Sequence, residues 1–309
     1  MTLFLNEQDV AGLLDPAAAL AAVEASFVRM AHGAVEIAPR RRLKLEDGRL
    51  ADMAASDAEL RYACVKAYAG FGDGVAFVVA LFAFDRPELV ALIEADHLGR
   101  LRTGAASAVA AKYLAREGAS SLGVIGCGTQ AETQVMCIRA AVPTIERVVA
   151  YCRTELNLRA FCKRVGAEPA ESNREAAEQD IVVTITTSRD PVLRGEWLSP
   201  GALVCAAGAN NGVSRELDNL VLERATFVCC DWKEQARLES ADLIEPIQQG
   251  VLDWLEVHEL HEVVSGELPG RQSPDDITLF KSNGIASWDV AIAGAAVERA
   301  RERGVGTEL

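Results

Sequence analysis

With 309 residues, half of them hydrophobic and a quarter charged, the chain can bury a sizeable core, and at roughly 150 residues per domain it is long enough for two. Its net charge of −14 argues against nucleic acid and anionic membrane as partners, since both need clustered Lys and Arg. No run approaches the ~18 apolar residues of a membrane span, residues 1–9 lack a leader pattern, and the eight cysteines have neither C-x-x-C pairs nor zinc spacing, so the expectation is a cytoplasmic protein with reduced, buried thiols and no metal.

In chain order, residues 16–32 carry Leu20, Val23, Phe27 and Met30 at helical spacing. Residues 34–45 alternate in strand fashion around Pro39-Arg40-Arg41-Arg42, and Asp47-Gly48 signals a hairpin into residues 49–53. Further strands are predicted at 62–68, 76–84 and 88–95, with Gly70, Gly72 and Gly74 punctuating the first connection. The first part is therefore mostly antiparallel β with one covering helix. An alanine-rich helix over 97–116 leads into strand–helix alternation, the mark of a parallel sheet and an α/β fold. Its strands are predicted in the apolar run that ends at Gly126 and at 147–151, 181–185, 203–207 and 226–230. Residues 238–249 and 254–264 read as amphipathic helices, and 289–303 as a closing alanine-rich helix that returns to the first domain.

The opening strand, in Ser120-Ser121-Leu122-Gly123-Val124-Ile125, ends in Gly126-Cys127-Gly128, with Ala131 at the third position of G-x-G-x-x-G. Glycines there let backbone amides approach a pyrophosphate, and the following helix N-terminus adds partial positive charge. The next strand decides the dinucleotide. A carboxylate at its end receives a ribose 2′-hydroxyl, but here Tyr151 is followed by Cys152-Arg153-Thr154. A guanidinium and a hydroxyl suit a 2′-phosphate, so NADP(H) is expected in preference to NAD(H). Three cations fit a substrate site: Lys66 in the apolar run Ala63–Tyr68, Arg102 near the start of a helix, and Arg40. A lone ammonium in an apolar strand is costly without a partner, and convergent Lys and Arg beside a nicotinamide would hold a small carboxylate and polarise an imine or carbonyl.

Taken in order, Pro39-Arg40, Val65-Lys66, Arg102-Thr103-x-Ala-Ala-Ser107, Gly126-x-Gly128-x-Gln130-Ala131, Asp180-Ile-Val-Val-Thr184, Arg215-Glu216-Leu217-Asp218 and Thr278-Leu-Phe-Lys281-Ser282-Asn283-Gly284 make the chain resemble the ornithine cyclodeaminase/μ-crystallin family over nearly its whole length. The resemblance implies a homodimer, with a substrate/dimerisation domain from residues 1–116 and 288–309 and a Rossmann-type doubly wound domain at 117–287. It implies that Arg40, Lys66 and Arg102 hold a substrate carboxylate, with Arg41 able to replace Arg40 after a one-residue shift, and that Asn283 binds substrate. Thr103, Thr129, Gln130, Arg153, Thr154, Thr186, Ala207 and Ser282 then join Gly126 and Gly128 around the cofactor.

Departures from that pattern narrow the chemistry. Where cyclodeaminases carry an acid/base aspartate stands Asn210, which can orient or hydrogen-bond but has no proton to exchange near neutral pH. Ser214 replaces a lysine, Gly99 a polar residue, and Ala76 a threonine. The expected activity is therefore NADPH-dependent reduction of cyclic ketimine carboxylates to L-cyclic amino acids, with Lys66, Arg102 and Asn210 at the reaction. An ornithine cyclodeaminase or alanine-dehydrogenase-like enzyme, and a non-catalytic NADPH-binding protein like μ-crystallin, stand as alternatives. His258-Glu259-Leu260-His261 has the wrong spacing for a zinc helix, and Asp289 reads as a favourable charge on a helix N-terminus.

Overall fold

The structure, a computed structural model, describes residues 1–72 and 74–309. Its elements run β1 Leu3–Leu5, α1 Glu7–Leu13, α2 Pro16–Ala31, β2 Val35–Lys44, β3 Gly48–Asp57, β4 Tyr62–Phe71, β5 Gly74–Ala83, β6 Leu89–Glu94, α3 Asp96–Leu114, β7 Ser121–Ile125, α4 Ala131–Ala141, β8 Arg147–Tyr151, α5 Glu155–Val165, β9 Glu168–Pro169, α6 Asn173–Ala177 and β10 Ile181–Thr184. After these come β11 Leu203–Ala206, α7 Asn219–Arg224, β12 Phe227–Cys230, α8 Lys233–Glu239, α9 Ala241–Gln248, β13 Val257–Glu259, α10 Leu260–Val264, β14 Thr278–Lys281, α11 Ala286–Arg303 and β15 Thr307–Glu308. The chain divides into two units, Met1–Arg102 with Ile285–Leu309, and Thr103–Gly284. The division falls inside α3, earlier than the expected 116/117. The reason is that the end of α3 belongs with the second unit, where Arg271 Nε and Thr278 Oγ1 both donate to Leu114 O, at 2.8 and 3.1 Å.

The first unit is one sheet in the order β15-β1-β6-β5-β4-β3-β2, and among its helices α11 packs on α2, β3 and β4. The hairpins are antiparallel, and β1 joins β6 in parallel. Asp15 caps α2, its Oδ1 accepting from Ala18 N at 2.7 Å, and Pro16 supplies the pre-set first helical residue. Strand alternation decides what β4 buries: Cys64 and Lys66 go under the helices, while Val65 stays on the opposite face at 41% exposure. That open face also carries Ala63 and the half-exposed Phe82. In β2 the ladder slips between Ala38 and Arg41, because Pro39 has no N–H to donate. The bulge leaves Arg40 buried and Arg41 exposed.

The second unit is an eight-stranded parallel sheet, β13-β12-β14-β11-β10-β7-β8-β9, as the Rossmann-type expectation required. Its central strands β10, β11 and β14 are buried throughout, as strands covered on both faces must be. The order turns back where β7 separates β8 from β10, and ligands of such sheets bind beyond the carboxyl ends of the strands at that place.

Several elements differ from the sequence reading. Residues 254–264 do not form one helix: Val257–Glu259 pairs with β12 as β13, and only Leu260–Val264 is helical. The predicted helix 238–249 breaks at Ser240 into the end of α8 and α9. Residues 278–281, quoted only as a motif, form β14 between β11 and β12. Elements β1, α1 and β15 were not anticipated; each is too short for a periodic signal, and β1 and β15 exist by pairing. No single helix among the described residues is long and apolar enough to cross a membrane.

Candidate active site

At the end of β7 the chain turns through Gly126 at φ +110°, a conformation that side-chain-bearing residues avoid. Gly126 N donates to Tyr151 O at 2.9 Å, and a Cβ at this position would overlap the Ile185 backbone. Gly128 is different: a Cβ there would meet nothing within 4 Å, so no protein atom asks for glycine, whereas a bound pyrophosphate would. Beyond the turn lies a cavity of about 320 Å³, lined by Gly126, Gly128, Arg153, Thr154, Thr186 and Ser188 among others. No acidic residue is among its described lining. No side chain caps α4, which leaves first-turn amides for an anion. These features fit a nicotinamide dinucleotide. Of the remaining residues expected at the cofactor, Thr129 and Gln130 stand between the turn and α4, and Ala207 follows β11. Thr103 opens this unit within α3, and Ser282 directs its hydroxyl at Asp231 Oδ2, 3.4 Å away; none of the five lines the cavity.

The first unit gathers the expected cations. Lys66 Nζ donates to Asp289 Oδ1 at 2.8 Å, and Arg102 Nε lies 3.4 Å from the same oxygen. All three are buried, with Lys66 2% and Asp289 0% exposed. The Arg102 guanidinium stands 5.6 Å from the Trp288 ring centre, and Lys66 Nζ 5.6 Å from that of Phe77. Burial pushes the Lys66 pKa down to about 8. Asp289 opposes the shift, while the positive charges of Arg102 and Arg40 reinforce it. Arg40 is buried on β2, with Nη2 3.7 Å from Met53 Sδ, and Met53 is the cross-strand neighbour of Lys66. Arg41 does not take its place: its side chain is 80% exposed and ion-paired to Asp52 at 2.7 Å, on the other side of the bulge.

From the sequence alone Asp289 is a charge favouring a helix N-terminus. It does lie in the first turn of α11, yet it is fully buried and is the counter-ion of Lys66 and Arg102. Its second oxygen, Oδ2, takes no hydrogen bond among the described residues. Spacing could not reveal this pairing, because Lys66 and Asp289 are 223 positions apart.

Asn210 lies in the loop after β11, directly behind Ala209, whose carbonyl accepts from Lys281 Nζ at 2.6 Å. Asn283 is buried at the end of β14. Its amide and that of Gly284 donate to Asp231 Oδ2 at 2.7 and 2.6 Å. Burial raises the Asp231 pKa to about 6 against the pull of those amides. The sequence reading gave Asp231, Asp242 and Lys281 no role. Among the described residues no three His, Cys, Asp or Glu side chains are grouped to hold a metal, and His261 Nε2 is instead 2.7 Å from Glu259 Oε2.

A glycine turn and a polar cleft at the carboxyl edge of a parallel sheet define a Rossmann-type dinucleotide-binding protein. The chain belongs to the ornithine cyclodeaminase/mu-crystallin family, whose profile matches residues 1–304. It is 37% identical over 324 residues to the alanine dehydrogenase of Archaeoglobus fulgidus, covering 100% of this chain and 98% of that one. The structure of Thermococcus litoralis Δ1-pyrroline-2-carboxylate reductase in complex with NADH and L-proline superimposes with a TM-score of 0.95 at 32% identity, covering all of both chains. That of an archaeal alanine dehydrogenase dimer with bound NAD does so with a TM-score of 0.93 at 34% identity, covering 100% of this chain and 98% of that one.

Removing the carboxylate from this cluster should cost stability. Asp289→Asn is expected to destabilise the fold by about 3–5 kcal/mol, because it leaves buried cations without a counter-charge. The Lys66→Met/Asp289→Asn double variant should recover part of that loss. Urea unfolding at pH 7 measures both, and an Asp289→Asn cost under about 1 kcal/mol would show that the pair is solvent-screened.

Proposed function

We propose that this chain reduces cyclic ketimine carboxylates, of the Δ1-pyrroline-2-carboxylate or Δ1-piperideine-2-carboxylate type, to L-cyclic amino acids with NADPH. The chain is an oxidoreductase of C=N and CH–NH bonds that uses a nicotinamide cofactor. The observation carrying the substrate reading is the buried pair Lys66 and Arg102 on one carboxylate, with the Arg40 charge felt by Lys66, a positive site suited to a small anionic acid. Support comes also from the likeness to the Thermococcus reductase.

In this reading Lys66 and Arg102 bind the ring carboxylate, with Arg40 assisting, and Asp289 orients both from behind. Gly126, Gly128, Arg153 and Thr154 of the second unit would hold a nicotinamide cofactor, which when bound would supply the hydride for the imine carbon. A protonated iminium needs no acid from the protein; for a neutral imine, Lys66 or a bound water gives the proton to nitrogen. Asn210 can orient the substrate by hydrogen bonding but cannot act as acid or base. That absence counts against ammonia loss from ornithine. Positioning and electrostatics then carry most of the rate. A second reading, reduction of an acyclic imine as in an alanine dehydrogenase, is favoured by the full-length likeness to the Archaeoglobus enzyme.

The deciding experiment follows reduced-cofactor absorbance with each ring imine, with pyruvate plus ammonia, and with ornithine plus oxidised cofactor. Turnover of a ring imine supports the proposal. Turnover of pyruvate and ammonia alone replaces it with the second reading, and cofactor binding without turnover of any substrate points to a binding protein.

Three further outcomes are expected. Lys66 must be protonated to hold a carboxylate, so kcat/KM for the imine should fall as pH rises through about 8. Asp289 raises the Lys66 pKa, so Asp289→Asn should move that limb to lower pH; a limb that stays put removes Lys66 from substrate binding. For the cofactor, the proposal of NADPH over NADH rests on Arg153 and Thr154 in a cleft with no acid among its described lining residues. Arg153→Asp should lower the NADPH/NADH preference by about tenfold or more, the scale of one charged hydrogen bond. An unchanged ratio would place Arg153 away from a 2′-phosphate. Finally, the open apolar face of the first unit, with Val65 and Phe82, is proposed to pair with a second copy, as the dimeric relative suggests. Val65→Asp should then shift the wild-type dimer toward monomer in sedimentation.

A further inference from the structure

The Glu216 carboxylate takes four hydrogen bonds in the second unit. It is fully buried. Oε1 accepts from Thr186 N at 2.7 Å and Thr186 Oγ1 at 2.8 Å, and Oε2 from Gly208 N at 2.8 Å and Ala209 N at 3.0 Å. Four donors on two oxygens fill the acceptor capacity of a carboxylate. The donors come from two separate chain segments. Thr186 follows β10 and lines the dinucleotide cleft, while Gly208 and Ala209 follow β11 and lead straight into Asn210. The two strands are parallel neighbours in register, Thr184 beside Ala206, so one side chain at their carboxyl ends can reach both exits.

The space around the carboxylate is closed. A Cβ on Gly208 would overlap the Thr186 backbone and Glu216 Oε1, so the close packing of these two segments on the carboxylate requires glycine at 208. Glu216 is held from behind as well. Asp242 Oδ1 accepts from Glu216 N at 2.8 Å and Leu217 N at 3.0 Å, and Lys281 Nζ, 3.1 Å from Asp242 Oδ2, donates to Ala209 O. Ala209 is thus held at both its amide and its carbonyl.

From this geometry we infer that Glu216 is a positioning residue that locks the Thr186 wall of the dinucleotide cleft to the loop bearing Asn210, setting cofactor affinity through the first and turnover through the second. The turnover half rests on the proposed reduction of ring imines. The affinity half does not, since dinucleotide binding is measured without substrate.

The test uses Glu216→Gln, which keeps the volume but turns a donor toward amides that need an acceptor. NADPH and NADH dissociation constants are read by fluorescence titration of the purified protein, and kcat for the ring imine is read in wild-type and Asn210→Ala backgrounds. Cofactor affinity is expected to fall about tenfold, the scale of one or two lost hydrogen bonds. The kcat loss is expected to shrink to under about twofold when Asn210 is already absent, as for residues acting through one another. Unchanged affinity for both dinucleotides overturns the cleft half. A kcat loss of equal size in both backgrounds overturns the Asn210 half and leaves Glu216 a structural residue. If Glu216→Gln does not fold, Thr186→Val, which removes one donor and keeps the amide, takes its place: a weakened dinucleotide supports the proposal and unchanged affinity overturns it. If no imine is turned over, the affinity titration still decides the first half.

Discussion

An ammonium group withdrawn from water needs a counter-charge, and the 2.8 Å contact from Lys66 to Asp289 supplies it from the far end of the chain. Much of the first unit depends on that pairing. It requires β4 and α11 to pack together, which brings residues 285–309 back to the N-terminal sheet. It also fixes the direction of Arg102, whose Nε approaches the same oxygen. The sheet cooperates through its period of two, which sends Lys66 toward the helices and Val65 away from them. The cluster is therefore both buried and positive, at the cost of pulling the Lys66 pKa down to about 8.

The second unit solves a different problem, the unsatisfied backbone at the ends of buried parallel strands. It does so with acids set at those ends. Asp180 accepts from Ser120 N and Ser121 N at the amino edge, while Glu216 and Asp231 accept from amides beyond the carboxyl ends of β10, β11 and β14. The carboxyl-edge pair hold the segments around Thr186, Asn210 and Asn283. Buried carboxylates normally demand a cation, and here backbone amides share that work with Arg116, ion-paired to Asp180, and Lys281, ion-paired to Asp242.

Much of this was legible without coordinates. The glycine turn, the alternation of strands and helices, and the apolar setting of Lys66 each carry a local physical signature. Other features left no such mark. The β14 segment Thr-Leu-Phe-Lys is buried on both faces and so shows no alternation. Residues 254–264 contain apolar positions at helical spacing, yet pairing of Val257 with Val228 overrides that preference. Arg40 and Arg41 are neighbours of one chemical type, and only the bulge beside Pro39 decides which is buried.

By itself the sequence determined the two architectures, the dinucleotide turn and the short list of cations, because these follow from periodicity, from glycine's freedom and from the cost of a charge in an apolar strand. Only the tertiary structure decided who partners whom. Asp289 became a counter-ion and not merely a helix-end charge, and Glu216 became the tie between two loops. Such assignments depend on groups distant in the chain meeting at a few ångströms, where low dielectric makes each charge insist on a specific neighbour.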